Sequence, residues 1–169
     1  MAKDFSRSER KENFLSTIPK DSLSSSDILT RSKFNFSYFD KNPPGQDFID
    51  WNASAGDSKV VKLIGKLKEF SRQPLCYWEN EKIGKGRRGG RGGRQACLEV
   101  YKNFPKNSDF THPPHVPEDV WWARFRIDSN TRLIGFVIPT SIECDKDMEY
   151  DRNTFYVVFL DENHMFYKS

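Results

Sequence analysis

Trp121-Trp-Ala-Arg-Phe-Arg-Ile127 alternates strictly along its length. Successive strand residues point to opposite faces, so Trp121, Ala123, Phe125 and Ile127 share one side, and Trp122, Arg124 and Arg126 share the other. Asp128-Ser-Asn-Thr131 has turn composition, and Arg132-Leu-Ile-Gly-Phe-Val-Ile138 reads as the returning strand. Downstream, Thr154-Phe-Tyr-Val-Val-Phe-Leu160 is apolar on both sides, the pattern of a central strand. The region from about Trp121 to Tyr167 is therefore expected to be a small antiparallel sheet.

Upstream of it, Phe34, Phe36 and Tyr38 alternate as in a strand, and Asp40-Lys-Asn-Pro-Pro-Gly45 ends that run. Asp57 and Ser58 are N-cap candidates. Val60, Leu63, Ile64, Leu67 and Phe70 follow at helical spacing, with lysines on the opposite side, until Pro74 stops the helix. The fold class is α+β: an amino-terminal strand, one long amphipathic helix, three carboxy-terminal strands and a long irregular insert. Residues 1–33, rich in Ser and charge, read as a flexible leader, and 34–169 as a single domain. The 24 aromatic residues, 14 Phe, 6 Tyr and 4 Trp, require a packed core built largely from rings.

Charge is unevenly placed. The net charge is only +3, but Lys82–Lys102 holds seven basic residues and one acid, Glu99. Within it, Gly84–Arg94 interleaves six glycines with Lys85, Arg87, Arg88, Arg91 and Arg94. Such a segment buries nothing and offers contacts that follow a nucleic-acid backbone without reading it. Residues 143–151 carry five acids against Lys146. The three cysteines include no CxxC pair, and the amino terminus has no apolar signal-type segment, so a cytoplasmic, membrane-free setting is expected. The proline pair in His112-Pro-Pro-His115 splays its two imidazoles, and no metal or other cofactor is expected. Neither a GxSxG motif nor a P-loop is present.

Three arginines stand out. Arg124 and Arg126 leave one face of a strand, and Arg132 begins its partner just across the turn. Guanidinium groups gathered in this way suit phosphate, because each planar fork donates paired hydrogen bonds and keeps its charge. Trp122 on the same face is expected to offer a nucleobase a ring to stack on. His164 and Tyr167, which follow the central strand, are candidates for proton transfer at the same corner.

The stretch Trp122–Phe136, with Arg124, Arg126 and Arg132 around a short turn, resembles the arginine-rich hairpin of the RelE/ParE-like toxins of bacterial toxin–antitoxin systems. Phe155–Tyr167, ending in His and Tyr, is similar to the last strand and tail of the ribosome-dependent mRNA interferases among them. The resemblance spans about 34–72 and 121–167, and residues 75–120 have no counterpart in a minimal member. It implies a metal-independent endoribonuclease acting on RNA, including ribosome-bound mRNA, and restrained by an antitoxin. Arg124, Arg126 and Arg132 would hold the scissile phosphate, with His164 and Tyr167 as base, acid or orienting groups. Two other readings stand beside it. One is a non-catalytic nucleic-acid-binding or regulatory protein, phage- or defence-related, using the basic segment. The other is a protein-interaction module using exposed rings.

Overall fold

Strand β5 (Trp121–Arg126) lies inside a five-stranded sheet, where a strand with apolar residues on both faces belongs. In the computed structural model, which describes residues 9–17, 26–53, 58–83, 95–142 and 150–168, the strand order is β1-β7-β6-β5-β4. The remaining strands are β1 (Lys33–Asn35), β4 (Leu98–Lys102), β6 (Arg132–Val137) and β7 (Thr154–Asp161). Strands β4 to β7 run antiparallel to one another, as their close succession along the chain dictates. Strand β1 pairs parallel with β7, placing Phe34 beside Phe155, so the sheet is mixed and not purely antiparallel. The reason is topological. A helical segment separates β1 from the meander, so β1 docks on the far edge instead of turning back on a neighbour in sequence.

Helices α2 (Phe48–Ala53), α3 (Lys59–Phe70) and α4 (Leu75–Asn80) cover one face of the sheet. Ser58 caps α3 by accepting from the Val61 N–H. Val60, Leu63, Leu67 and Phe70 form the packed stripe of α3, and Phe70 stacks on Phe125 at 4.4 Å between ring centroids. The expected stripe also held Ile64, but Ile64 is 59% exposed. The contact with the sheet follows the narrower 60, 63, 67, 70 row, and Ile64 lies on its flank. Gly135 lies where β6 shifts register against β7. A Cβ added there would meet the Tyr156 carbonyl oxygen, so only glycine fits.

Among the described residues, no helix packs on the opposite face. Phe110, Val116 and Val120 of the irregular segment and Phe166 of the tail pack there on Trp122, Ile134, Phe136, Val158 and Phe159. The sheet is thus buried from both sides, once by helices and once by a wrap.

Two features depart from the sequence-based picture. Leu98–Lys102 forms the fifth strand, within what reads as irregular insert. A two-stranded ladder, β2 (Lys82–Ile83) with β3 (Gln95–Ala96), closes the base of the Gly/Arg segment. Helix α1 (Glu9–Thr17) in the leader buries none of its residues. No helix among the described residues is long and apolar enough to cross a membrane.

Candidate functional site

Cross-strand neighbours share a sheet face, so register decides what the arginines meet. Arg124 on β5 stands opposite Glu99 on β4, Arg126 opposite Arg132 on β6, and Arg132 opposite Asp161 on β7. The arginines expected from the sequence therefore do gather at one end of the wrapped face. They arrive there with partners that the sequence reading did not assign.

Glu99 is the chief of these partners. Its Oε2 accepts from Arg124 Nε at 2.9 Å and Nη2 at 2.7 Å, and its Oε1 accepts from Arg126 Nη2 at 2.7 Å. The Tyr101 hydroxyl, two residues along the same strand, donates to Oε2 at 2.8 Å. Burial alone would raise the Glu99 carboxyl, but the Arg126 hydrogen bond and the Arg124 charge outweigh it and hold the carboxyl below its usual range. Arg126 also donates through Nε to the Ala96 carbonyl of β3 at 3.2 Å. Among the described residues, Nη1 of Arg124 and Nη1 of Arg126 make no hydrogen bond, and these are the donors left for a phosphate oxygen.

Arg132 is committed differently. It is only 2% exposed and turns back on the preceding loop. There its Nη1 donates to the carbonyls of Asp128 (2.8 Å) and Thr131 (2.9 Å), and its Nη2 to that of Ser129 (3.2 Å). Burial, then the charges of Arg126 and Arg124, push it down to about 10, so it remains a cation at neutral pH. Its Nε is buried without a partner among the described residues. In this arrangement Arg132 closes the β5–β6 turn and reaches a ligand only through its field.

The tail is organised by Asp161, which is buried at the end of β7. Its carboxylate accepts from the backbone N–H groups of Asn163, Met165 and Phe166, and so folds the chain sharply after the strand. His164 takes φ 58 within this turn, a left-handed conformation that few side chains adopt. The turn brings His164 Nε2 within 3.1 Å of the Ser129 carbonyl, the same oxygen that Arg132 contacts. A carbonyl only accepts, so Nε2 carries the proton and Nδ1 of the neutral ring keeps its lone pair. Burial and the Arg132 charge hold the imidazole below its usual value, which favours that neutral form. Tyr167 stacks on Tyr101 at 4.7 Å, with the Arg124 guanidinium 5.7 Å from its ring centre. Arg124, Arg126, Arg132, His164 and Tyr167 are therefore linked through shared partners at one corner.

Trp122 is not part of it. The sequence places its ring among the cations, ready for a base, but it is 1% exposed. It is packed between Phe104, Phe159 and Phe166. The wrap that covers this face fills the space in which a base would stack. Lys85, Arg87, Arg88, Arg91 and Arg94 lie outside the described residues. The anchors of their segment do not: it leaves from Ile83 and returns at Gln95, next to the Ala96 that Arg126 contacts.

Of the described cysteines, Cys97 is buried with its thiol pushed up to about 11 by burial, and Cys76 is exposed. A thiol held protonated in this way is no nucleophile. Among the described residues, no group of three His, Cys, Asp or Glu is arranged to hold a metal ion.

No family model, curated protein or solved structure matches this chain.

Residues of this corner that sequence reasoning did not single out are Glu99, Tyr101 and Asp161. The signal for Glu99 was present, as the lone acid in a basic stretch.

Proposed function

We propose that this chain acts on RNA as a toxin-like, metal-independent endoribonuclease of the RelE/ParE-like type. The observation that carries the reading is the convergence of strands β4, β5 and β6 with the tail turn on one cationic corner that also holds a neutral imidazole. The succession of edge strand, helices and antiparallel meander supports it as well.

In this reading the phosphodiester docks on the remaining donors of Arg124 and Arg126. Nδ1 of His164 takes the proton from the ribose 2′-hydroxyl, whose oxygen attacks the adjacent phosphorus. The bond to the 5′-oxygen breaks, leaving a 2′,3′-cyclic phosphate, and that oxygen takes up a proton from water while the His164 imidazolium returns its own to solvent. The arginine pair and the nearby Arg132 charge stabilise the negative charge that develops on the phosphoryl oxygens. Glu99 already occupies much of the fork, so an incoming phosphate competes with it. RNA and an antitoxin are the partners proposed.

A second reading is non-catalytic binding of nucleic acid. The Glu99 clasp and the buried, loop-bound Arg132 favour it, because they commit guanidinium donors that catalysis needs. In this reading the Gly/Arg segment supplies the backbone contact, anchored at the same corner.

Incubating the full chain with single-stranded RNA and with translating ribosomes separates the two. The endoribonuclease yields new 5′-hydroxyl ends, loses them in Arg124→Ala, and cuts at least 100-fold more slowly in His164→Gln. RNA retained without new ends establishes binding alone, and absence of both ends the nucleic-acid assignment. Arg124 is the informative arginine, because Arg126 and Arg132 are buried and their removal also costs stability.

A further inference from the structure

Tyr167 is held more rigidly than a penultimate described residue needs to be. On one side Phe166 is fully buried among Phe104, Phe110, Trp122 and Phe159. On the other, Lys168 pairs with Asp109 at 2.6 Å, and the Asp109 N–H donates to the Met165 carbonyl. Between these anchors Tyr167 remains 41% exposed. Its plane lies within 7° of that of Tyr101, at a centroid distance of 4.7 Å. Tyr101 in turn is fixed by its hydroxyl bond to Glu99. One face of Tyr167 is thus covered by a ring that cannot swing away.

With that face occupied, the exposed part of Tyr167 is the surface that a planar ligand can reach. Arg124 Cζ is 5.3 Å from the Tyr101 centre and 5.7 Å from that of Tyr167. The guanidinium therefore lies within cation–π distance of both rings. A cation beside an exposed, immobilised aromatic surface is what a single-stranded nucleotide requires. The base stacks on the ring while the phosphate meets the charge.

We infer that the outer face of Tyr167 is a nucleobase-stacking site, with Tyr101 as its backing and Arg124 as the adjoining phosphate contact. This deepens the proposed RNA function and rests on it, giving Tyr167 a stacking role in place of the proton transfer expected from the sequence. It also supplies the ring that Trp122, buried in the core, cannot. A stacking site without base-edge hydrogen bonds prefers purines to pyrimidines by stacking strength alone and tolerates either.

The test uses the full chain and three end-labelled hexamers of equal charge: oligoadenylate, oligouridylate and an abasic strand. Anisotropy titrations of wild type are expected to rank them in that order. Tyr167→Ala should weaken oligoadenylate binding about tenfold, leave the abasic strand unchanged, and keep the same salt slope, since the ring carries no charge. Tyr167→Phe should bind like wild type. Equal affinity of wild type for oligoadenylate and abasic strands, with no effect of Tyr167→Ala, overturns the stacking site and leaves RNA binding in place. A Tyr167→Phe variant as weak as Tyr167→Ala assigns the effect to the hydroxyl and also overturns it. Wild type that binds none of the strands removes the RNA reading and the stacking site together.

Discussion

The two faces of the sheet solve the same burial problem with different materials. On the helix-covered face, Ala123, Phe125, Leu133, Phe155 and Val157 meet Leu63, Phe70 and Trp78, and the contact is apolar throughout. On the wrapped face the same strands present a divided surface. Trp122, Phe136 and Phe159 are sealed by Phe110, Val116 and Phe166, while Glu99, Arg124, Arg126 and Arg132 fill the rest. A helix brings a continuous apolar stripe and covers a whole face. An irregular segment covers only where its scattered side chains fall. Where it leaves charged side chains against the sheet, those groups satisfy one another, as Glu99 does for Arg124 and Arg126.

Paired truncations put the sharpest strain on this contrast. If both faces are true core, Phe125→Ala and Trp122→Ala should each cost about 4 kcal/mol in urea unfolding. RNA affinity of the folded fraction should be unaltered by either. A Trp122→Ala protein that unfolds like wild type but loses RNA would return Trp122 to the surface role its sequence position implies, and would erase the apolar half of the wrapped face.

The charged half is probed by Glu99→Gln. The substitution preserves shape but removes the charge that two guanidiniums share, so a loss of roughly 2 kcal/mol at pH 7 is expected. Phosphate should then bind more tightly, because its competitor is gone, and isothermal titration with inorganic phosphate reads the change. Unaltered stability and unaltered phosphate affinity would show that the clasp is incidental. The loss should also depend on pH. The folded carboxyl titrates below its unfolded value, so its stabilisation is present above the unfolded pKa and fades as pH falls through the folded one.

His164 offers the smallest and most specific effect. Its folded pKa is lowered, so below the usual histidine value the unfolded chain takes up a proton that the native chain resists. Stability should therefore decline from about pH 6.5 downward. His164→Gln should flatten that part of the curve. A wild-type profile with no slope there, in urea midpoints collected between pH 7 and 5, would mean that the imidazole is less enclosed than its contact with Ser129 implies.

How far these features were legible in the chain follows from the same contrast. Period-2 alternation exposed β5, the turn after it marked β6 as the returning strand, and the double-sided run Thr154–Leu160 announced a central strand, which β7 is. Helix α3 was legible because its cap and stripe are both local. Strand β4 was not. Leu98-Glu-Val-Tyr-Lys102 alternates, but its five residues stand only three beyond the Gly/Arg run, whose composition masks them. Glu99 counted as one charge among many until register set it opposite Arg124. The position of Trp122 was misjudged because alternation tells which face a residue takes, not what covers that face. Here the cover is a proline-rich stretch without periodicity. The parallel docking of β1 also depended on where the intervening helices returned the chain, a non-local fact.

The two-rung ladder at Lys82–Ile83 and Gln95–Ala96 works as a tether with a fixed root. Eleven residues leave and re-enter through it. Whatever path they take, the contour of an extended chain lets them travel no more than roughly 20 Å outward before they must turn back. Under the nucleic-acid reading proposed above, a phosphate held by that segment would stay within this reach of the arginine corner, where a second, weak contact meets it at raised effective concentration.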